Sequence, residues 1–241
     1  MIRLEVCIDS PEGLARAIAG GADRIELCAA LPLGGLTPSA GLMRLAAEAP
    51  VPVYAMIRPR EGDFVFTSAE AEVMRADIRA ARQAGLAGVV LGAATPEGRL
   101  DVPLLSSLMA EAAGMGTTLH RVVDTLADPV AALADAIALG FERILTSGGA
   151  GSALAGSTTI RRLHELAAGR IAIMAGGGLR AANAIDVLQR TGVDELHGSC
   201  AAALAAPVRS GPAFQSEAPM LVDPAEVAAI KSLIATYGNG P

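Results

Sequence analysis

Short apolar runs bounded by Gly, Pro or Ser alternate along the chain with Ala- and Leu-rich stretches in which apolar residues recur at helical spacing. The runs are LEVCIDS from Leu4, RIELCAA from Arg24, VPVYAMIR from Val51, GVVLGA from Gly88, TTLHRVV from Thr117, RILTSGG from Arg143, IAIMAGGG from Ile171 and ELHGSC from Glu195, eight candidate strands in all. Helix-opening signals stand between them. Ser10 precedes a first-turn Pro11, Ser68 opens a stretch that stops at Gly85, Asp128-Pro129 opens one that stops at Gly140, and Asp223-Pro224 opens one that stops at Gly238. This alternation, repeating every roughly 20 to 35 residues, is the rhythm of parallel βαβ units. Eight near-equal units with no shift in composition predict an α/β fold, a (β/α)8 TIM-type barrel forming a single domain over 1–241. A doubly wound open sheet is the alternative. The Gly-, Pro- and Ser-containing stretch at about 201–222 is expected as a long loop before the last helix.

Closure of a parallel barrel sets the parity of each strand, because the outward positions meet helices and must be apolar. Leu4, Val6 and Ile8 then face out, sending Glu5, Cys7 and Asp9 inward or to the mouth. By the same rule Glu26, Cys28, Met56, Arg58, His120 and His197 point inward. Interior charges are costly unless paired or solvated. These residues therefore form either a structural ion network, with Arg58 neutralising Glu26, or a site. Their position towards the C-terminal strand ends is where sites are built on this fold.

Composition narrows the partners. The 241 residues carry a net charge of −6 and only 2% aromatics, with no Trp, which argues against nucleic acid and anionic membrane surfaces. Three Cys form no disulfide framework or zinc spacing, and no apolar run reaches membrane-spanning length, so a cytoplasmic protein is expected. His164 falls on a helical stretch, apart from the other scarce residues.

Two features carry specific chemistry. Glycine-rich turns follow the sixth and seventh strands, at Gly148-Gly149 and Gly176-Gly177-Gly178, and Ser199 follows the eighth; backbone N–H groups there suit an anion. Each turn also has a bland explanation, a backbone that needs positive φ. Cys7 and Cys28 lie on neighbouring strands with the same facing, and two thiolates in low coordination suit Cu(I), although buried free Cys is also an ordinary small hydrophobe.

The motifs LEVCIDS, GGADRIELCAAL, GGLTPSAG, VYAMIRPREGDFVFT, LHRVVD, RILTSGG, IMAGGGL and ELHGS, in this order, resemble the CutC copper homeostasis family over nearly the whole chain. The resemblance implies a TIM-type barrel, a cytoplasmic homodimer or homotetramer, copper handling, and Cu(I) ligands at Cys7 and Cys28. Two departures are local: a motif usually written FHRAFD reads LHRVVD, keeping His120, Arg121 and Asp124, and Ala175 stands where a Pro usually precedes the three glycines.

Two readings stand side by side. In one, the chain binds a copper ion through Cys7 and Cys28, with Met56 as a soft neighbour. In the other it is an enzyme of lyase, isomerase or hydrolase type acting on a small anionic, phosphorylated or carboxylated metabolite. There His120 or Glu26 is the general acid/base, Arg58 the clamp, and Gly148, Gly149, Gly176, Gly177, Gly178 and Ser199 the anion cradle.

Overall fold

A computed structural model describes residues 2–203 and 220–238. Eight parallel strands close into a barrel in chain order, β1 (Arg3–Ile8), β2 (Arg24–Leu27), β3 (Val53–Met56), β4 (Gly88–Leu91), β5 (Gly116–Leu119), β6 (Arg143–Thr146), β7 (Ala172–Gly176) and β8 (Glu195–Gly198), and β8 pairs back onto β1. The helices that follow them are α1 (Pro11–Ala19), α2 (Ala40–Ala46), α3 (Ser68–Ala84), α4 (Val102–Glu111), α5 (Pro129–Leu139), α6 (Ser157–Ala167), α7 (Ala184–Thr191) and α8 (Pro224–Gly238). The fold is the expected (β/α)8 barrel. No described helix is long and apolar enough to cross a membrane.

Local chemistry explains most boundaries. Ser10 caps α1 by accepting the Gly13 N–H, and Asp128 caps α5 by accepting those of Val130 and Ala131. The cap of α3 is Thr67 rather than the expected Ser68, because Thr67 and Glu70 form a reciprocal capping box. The fifth apolar run is cut short: β5 ends at Leu119, and Arg121–Thr125 form a tight helical turn with His120 as its cap. At the edges of the expected long loop, β9 (Ala201–Ala203) and β10 (Met220–Val222) pair as an antiparallel hairpin; residues 204–219 lie outside the described residues.

The parity argument holds in three dimensions. Leu4, Val6, Ile8, Ile25, Leu27, Val53, Ala55 and Ile57 are buried in one shell between strands and helices, while Cys28, Tyr54, Met56 and Val90 form a separate small cluster inside the barrel. Beside that cluster, the N-terminal half of the barrel is filled by charge. Arg24 pairs with Glu5 and Glu195, and Arg143 reaches Glu195 at 3.3 Å, Glu142 at 3.1 Å and the Thr118 hydroxyl at 3.0 Å. Both guanidiniums lie over the Tyr54 ring, at 5.6 and 4.9 Å. That ring fits only because its neighbours on the next two strands lack side chains: a Cβ on Gly88 would sit 2.3 Å from it, and one on Gly116 would sit 2.1 Å from its hydroxyl. This layer closes the barrel from below and leaves the upper half open.

Candidate active site

A cavity of ≈ 260 Å³ opens among the C-terminal strand ends, lined among others by Cys7, Glu26, Met56, Arg58, His120 and His197. These side chains come from β1, β2, β3 and β8 or from positions just past β3 and β5. Closure brings together residues from both ends of the chain.

On one wall, Cys7 Sγ, a Glu26 oxygen and a His197 nitrogen all lie within 4.8 Å of one another. The β1–β2 register places Glu26, not Cys28, opposite Cys7. Cys28 lies two residues further along, a rise of about 6.6 Å, and its thiol donates to Glu26 Oε2 at 3.6 Å. The two thiols therefore stand on different rungs, and burial together with the neighbouring Glu26 carboxylate pushes the Cys28 thiol well up. His197 is oriented from behind: its Nδ1 is 2.8 Å from Glu5 Oε1, which leaves Nε2 towards Glu26 Oε2 at 3.8 Å. Burial works against charge on His197, but Glu26, Cys7 and Glu5 together hold its pKa well above the ordinary range. For the Glu26 carboxyl burial acts in the other direction and raises the pKa, and its Oε1 has no hydrogen-bond partner among the described residues. Glu5 moves the other way, since Arg24 and His197 overcome its burial and depress it.

On the other wall stand Arg58 and His120. Arg58 is buried and does not neutralise Glu26. Its Nη1 donates to the carbonyls of Leu33 at 3.0 Å and Gly35 at 3.2 Å, its Nη2 to that of Gly62 at 2.9 Å, and its Nε has no partner. Among the described residues no carboxylate pairs with it, so its charge is left for the cavity. His120 is packed against the Phe64 ring, centroids 4.8 Å apart. Phe64, absent from the sequence-derived set, also packs under the Arg58 guanidinium, whose Cζ lies 5.0 Å from the ring centroid.

The expected anion cradle divides in two. The donors at Gly148 and Gly149 are already engaged. Asp124 accepts the N–H groups of Ser147 at 2.9 Å and Gly149 at 3.0 Å, and the Gly148 N–H goes to the Thr146 hydroxyl at 2.8 Å. An internal carboxylate thus occupies that turn. Gly176 serves packing, since a Cβ there would lie 2.6 Å from Leu145 Cδ1. Gly177, Gly178 and Ser199 do line the cavity, beside Leu179 and Arg180. Gly177 and Gly178 have φ of 102° and 69°, and the N–H groups of Gly177, Gly178, Leu179 and Ser199 have no partner among the described residues. Arg180 and Leu179 were not singled out by sequence; their signal was adjacency to the glycine run.

The sequence profile of the CutC family matches residues 2–202. The chain belongs to the CutC family. It is 58% identical over 202 residues to a CutC family protein of Rhizobium meliloti (strain 1021), covering 84% of this chain and 82% of the relative. It is 55% identical over 198 residues to one from Caulobacter vibrioides (strain NA1000 / CB15N), covering 82% and 81%. The solved structure of CutC from Streptococcus agalactiae, provisionally named a copper homeostasis protein, is 34% identical and superimposes with a TM-score of 0.79 over 83% of this chain and 99% of that one. In this CutC chain the matched region carries every cavity residue discussed above.

Proposed function

We propose that this CutC chain is an enzyme whose cavity takes a small anionic metabolite. The observation that carries the reading is Arg58, a buried guanidinium without a carboxylate partner among the described residues, lining the same cavity as Glu26 Oε1 and His120 Nε2, two polar atoms without a partner among those residues. A buried charge without its counterion is expensive, and a bound anion supplies one. The ligand's anionic group sits at the N–H groups of Gly177, Gly178, Leu179 and Ser199, which have no partner among the described residues, next to Arg180. Glu26 is the acid/base group and Arg58 the clamp. The implied setting is the cytoplasm and a homodimer or homotetramer.

The test is a thermal-shift panel of phosphorylated and carboxylated small metabolites, with inorganic phosphate as control, on the unmodified protein and Arg58→Met. Stabilisation of the unmodified protein that disappears in Arg58→Met supports the reading. If no compound raises Tm while Cu(I) does, the enzyme reading fails.

The convergence of Cys7, Glu26 and His197 favours a second reading, a single soft metal ion as cargo. The donor set fits Cu(I) once His197 Nε2 gives up its proton to the incoming ion, with Cys7 and His197 as ligands and the Glu5 carboxylate fixing the imidazole from behind. The Cys7 and Cys28 pair implied by the family likeness would need Cys28 to leave Glu26 and give up its proton.

A further inference from the structure

His120 is built as a hydrogen-bond donor rather than as a proton carrier. Its Nδ1 accepts the Val122 N–H at 3.1 Å inside the turn that it caps. A ring nitrogen that accepts an N–H bears no proton, so the neutral ring carries its hydrogen on Nε2. Nε2 is buried and has no partner among the described residues, although His120 lines the cavity. Burial, with the Arg58 charge nearby, pushes the ring's pKa down to about 3, so no imidazolium is present at neutral pH. The general acid/base role expected for His120 therefore moves to another residue.

The surroundings hold this donor in place. A Cβ on Gly92 would lie 2.6 Å from His120 Cε1, so the ring occupies space that only glycine leaves. Phe64 packs against the imidazole and against the Arg58 guanidinium, fixing two donors around one ring. A fixed, neutral imidazole N–H beside a cation matches an oxygen that is uncharged in the ground state and gains negative charge during reaction. A ligand carboxylate at that position would instead favour a charged, bidentate partner.

We propose that the ligand of this cavity is a small carbonyl compound bearing an anionic group, and that His120 Nε2–H, with Arg58 beside it, receives the carbonyl oxygen and polarises it. The proposal rests on the anionic-ligand reading above and adds the carbonyl. The cavity then has two ends: an oxygen pocket at His120 and Arg58, and an anion end at Gly177 to Leu179 and Ser199.

Four probes separate the two levels. Dihydroxyacetone phosphate and pyruvate carry the carbonyl; glycerol 3-phosphate and lactate are their hydroxyl twins. With the unmodified protein, at least one carbonyl probe should bind about tenfold tighter than its twin, the worth of one good hydrogen bond. The bound carbonyl carbon should move downfield by 13C NMR. The preference should be lost in His120→Phe and partly kept in His120→Gln, which retains an N–H donor. Equal binding of the twins overturns the carbonyl proposal and leaves the anion reading standing; failure of all four probes to bind overturns both. An independent check needs no variant: 15N NMR of the histidine-labelled protein at pH 7 should show an unprotonated Nδ1 and a protonated Nε2 for His120. A proton on Nδ1, or an imidazolium, overturns the proposal.

Discussion

Cys7 stands opposite Glu26 in the β1–β2 ladder, so the first thiol of the chain faces a carboxylate and not the second thiol. Because side chains alternate with period two, Cys28 shares the inward facing of Cys7 yet lies one full repeat higher. This one-rung offset separates the copper reading of the sequence from the donor cluster present in the fold.

A Cu(I) competition titration with a chromogenic chelator follows directly. Affinity is expected to fall at least about tenfold in Cys7→Ser, which removes the soft donor facing His197, and to change less than about twofold in Cys28→Ser. The opposite order would restore the two-thiolate site.

Glu5 supports both halves of the barrel, holding Arg24 below and His197 above. Glu5→Gln leaves Arg24 with only one of its two carboxylates and removes the charge behind His197. The expected cost is about 3–5 kcal/mol in urea unfolding, the usual range for breaking a buried pair, with a fall in the His197 pKa by NMR. A midpoint equal to that of the parent would show that the network adds nothing to stability.

His120 sets an acid limb to the stability profile. Its folded pKa is about 3 against an ordinary 6.5, so between those values the unfolded chain binds more protons and stability drops as pH falls. The slope from this residue approaches about 1.4 kcal/mol per pH unit. His197 has the opposite sign: its raised pKa gives a contribution that is complete below 6.5 and is lost only as pH rises through the folded value. Urea midpoints of the parent and His120→Gln between pH 7.5 and 5 should diverge, the variant being flatter. Parallel curves would rule out a buried neutral His120.

Asp124 organises the turn after β6. It accepts from the N–H groups of Ser147 and Gly149, the hydroxyls of Thr146 and Ser147, and Arg121 Nε at 2.8 Å. Asp124→Ala should cost about 2–4 kcal/mol, since several charge-assisted bonds are lost together. Amide hydrogen exchange should accelerate at Ser147 and Gly149. Unchanged protection there would mean that the turn is held by its glycines alone.

The inward set was legible because it follows from parity. Once Leu4, Ile25, Leu119 and Leu196 face the helices, Glu5, Glu26, His120 and His197 have nowhere else to point. The same rule reaches Arg24, Arg143 and Glu195, the charged floor, yet nothing in their local sequence marks them as partners, because they pair across strands 19 to 171 residues apart. The roles of Gly88, Gly92 and Gly116 were hidden for a related reason: each makes room for a ring on a neighbouring strand or turn, and a missing side chain is silent in its own sequence context.

From the sequence alone came the eight-unit α/β barrel, the strand facings and the CutC likeness, since hydrophobic periodicity and turn chemistry are local properties that each segment carries by itself. Register and hydrogen-bond occupancy are relations between segments, and only the folded barrel decided them. It set Cys7 against Glu26, gave the Gly149 N–H to Asp124, left Arg58 without a carboxylate among the described residues, and spent the Nδ1 of His120 on the Val122 N–H.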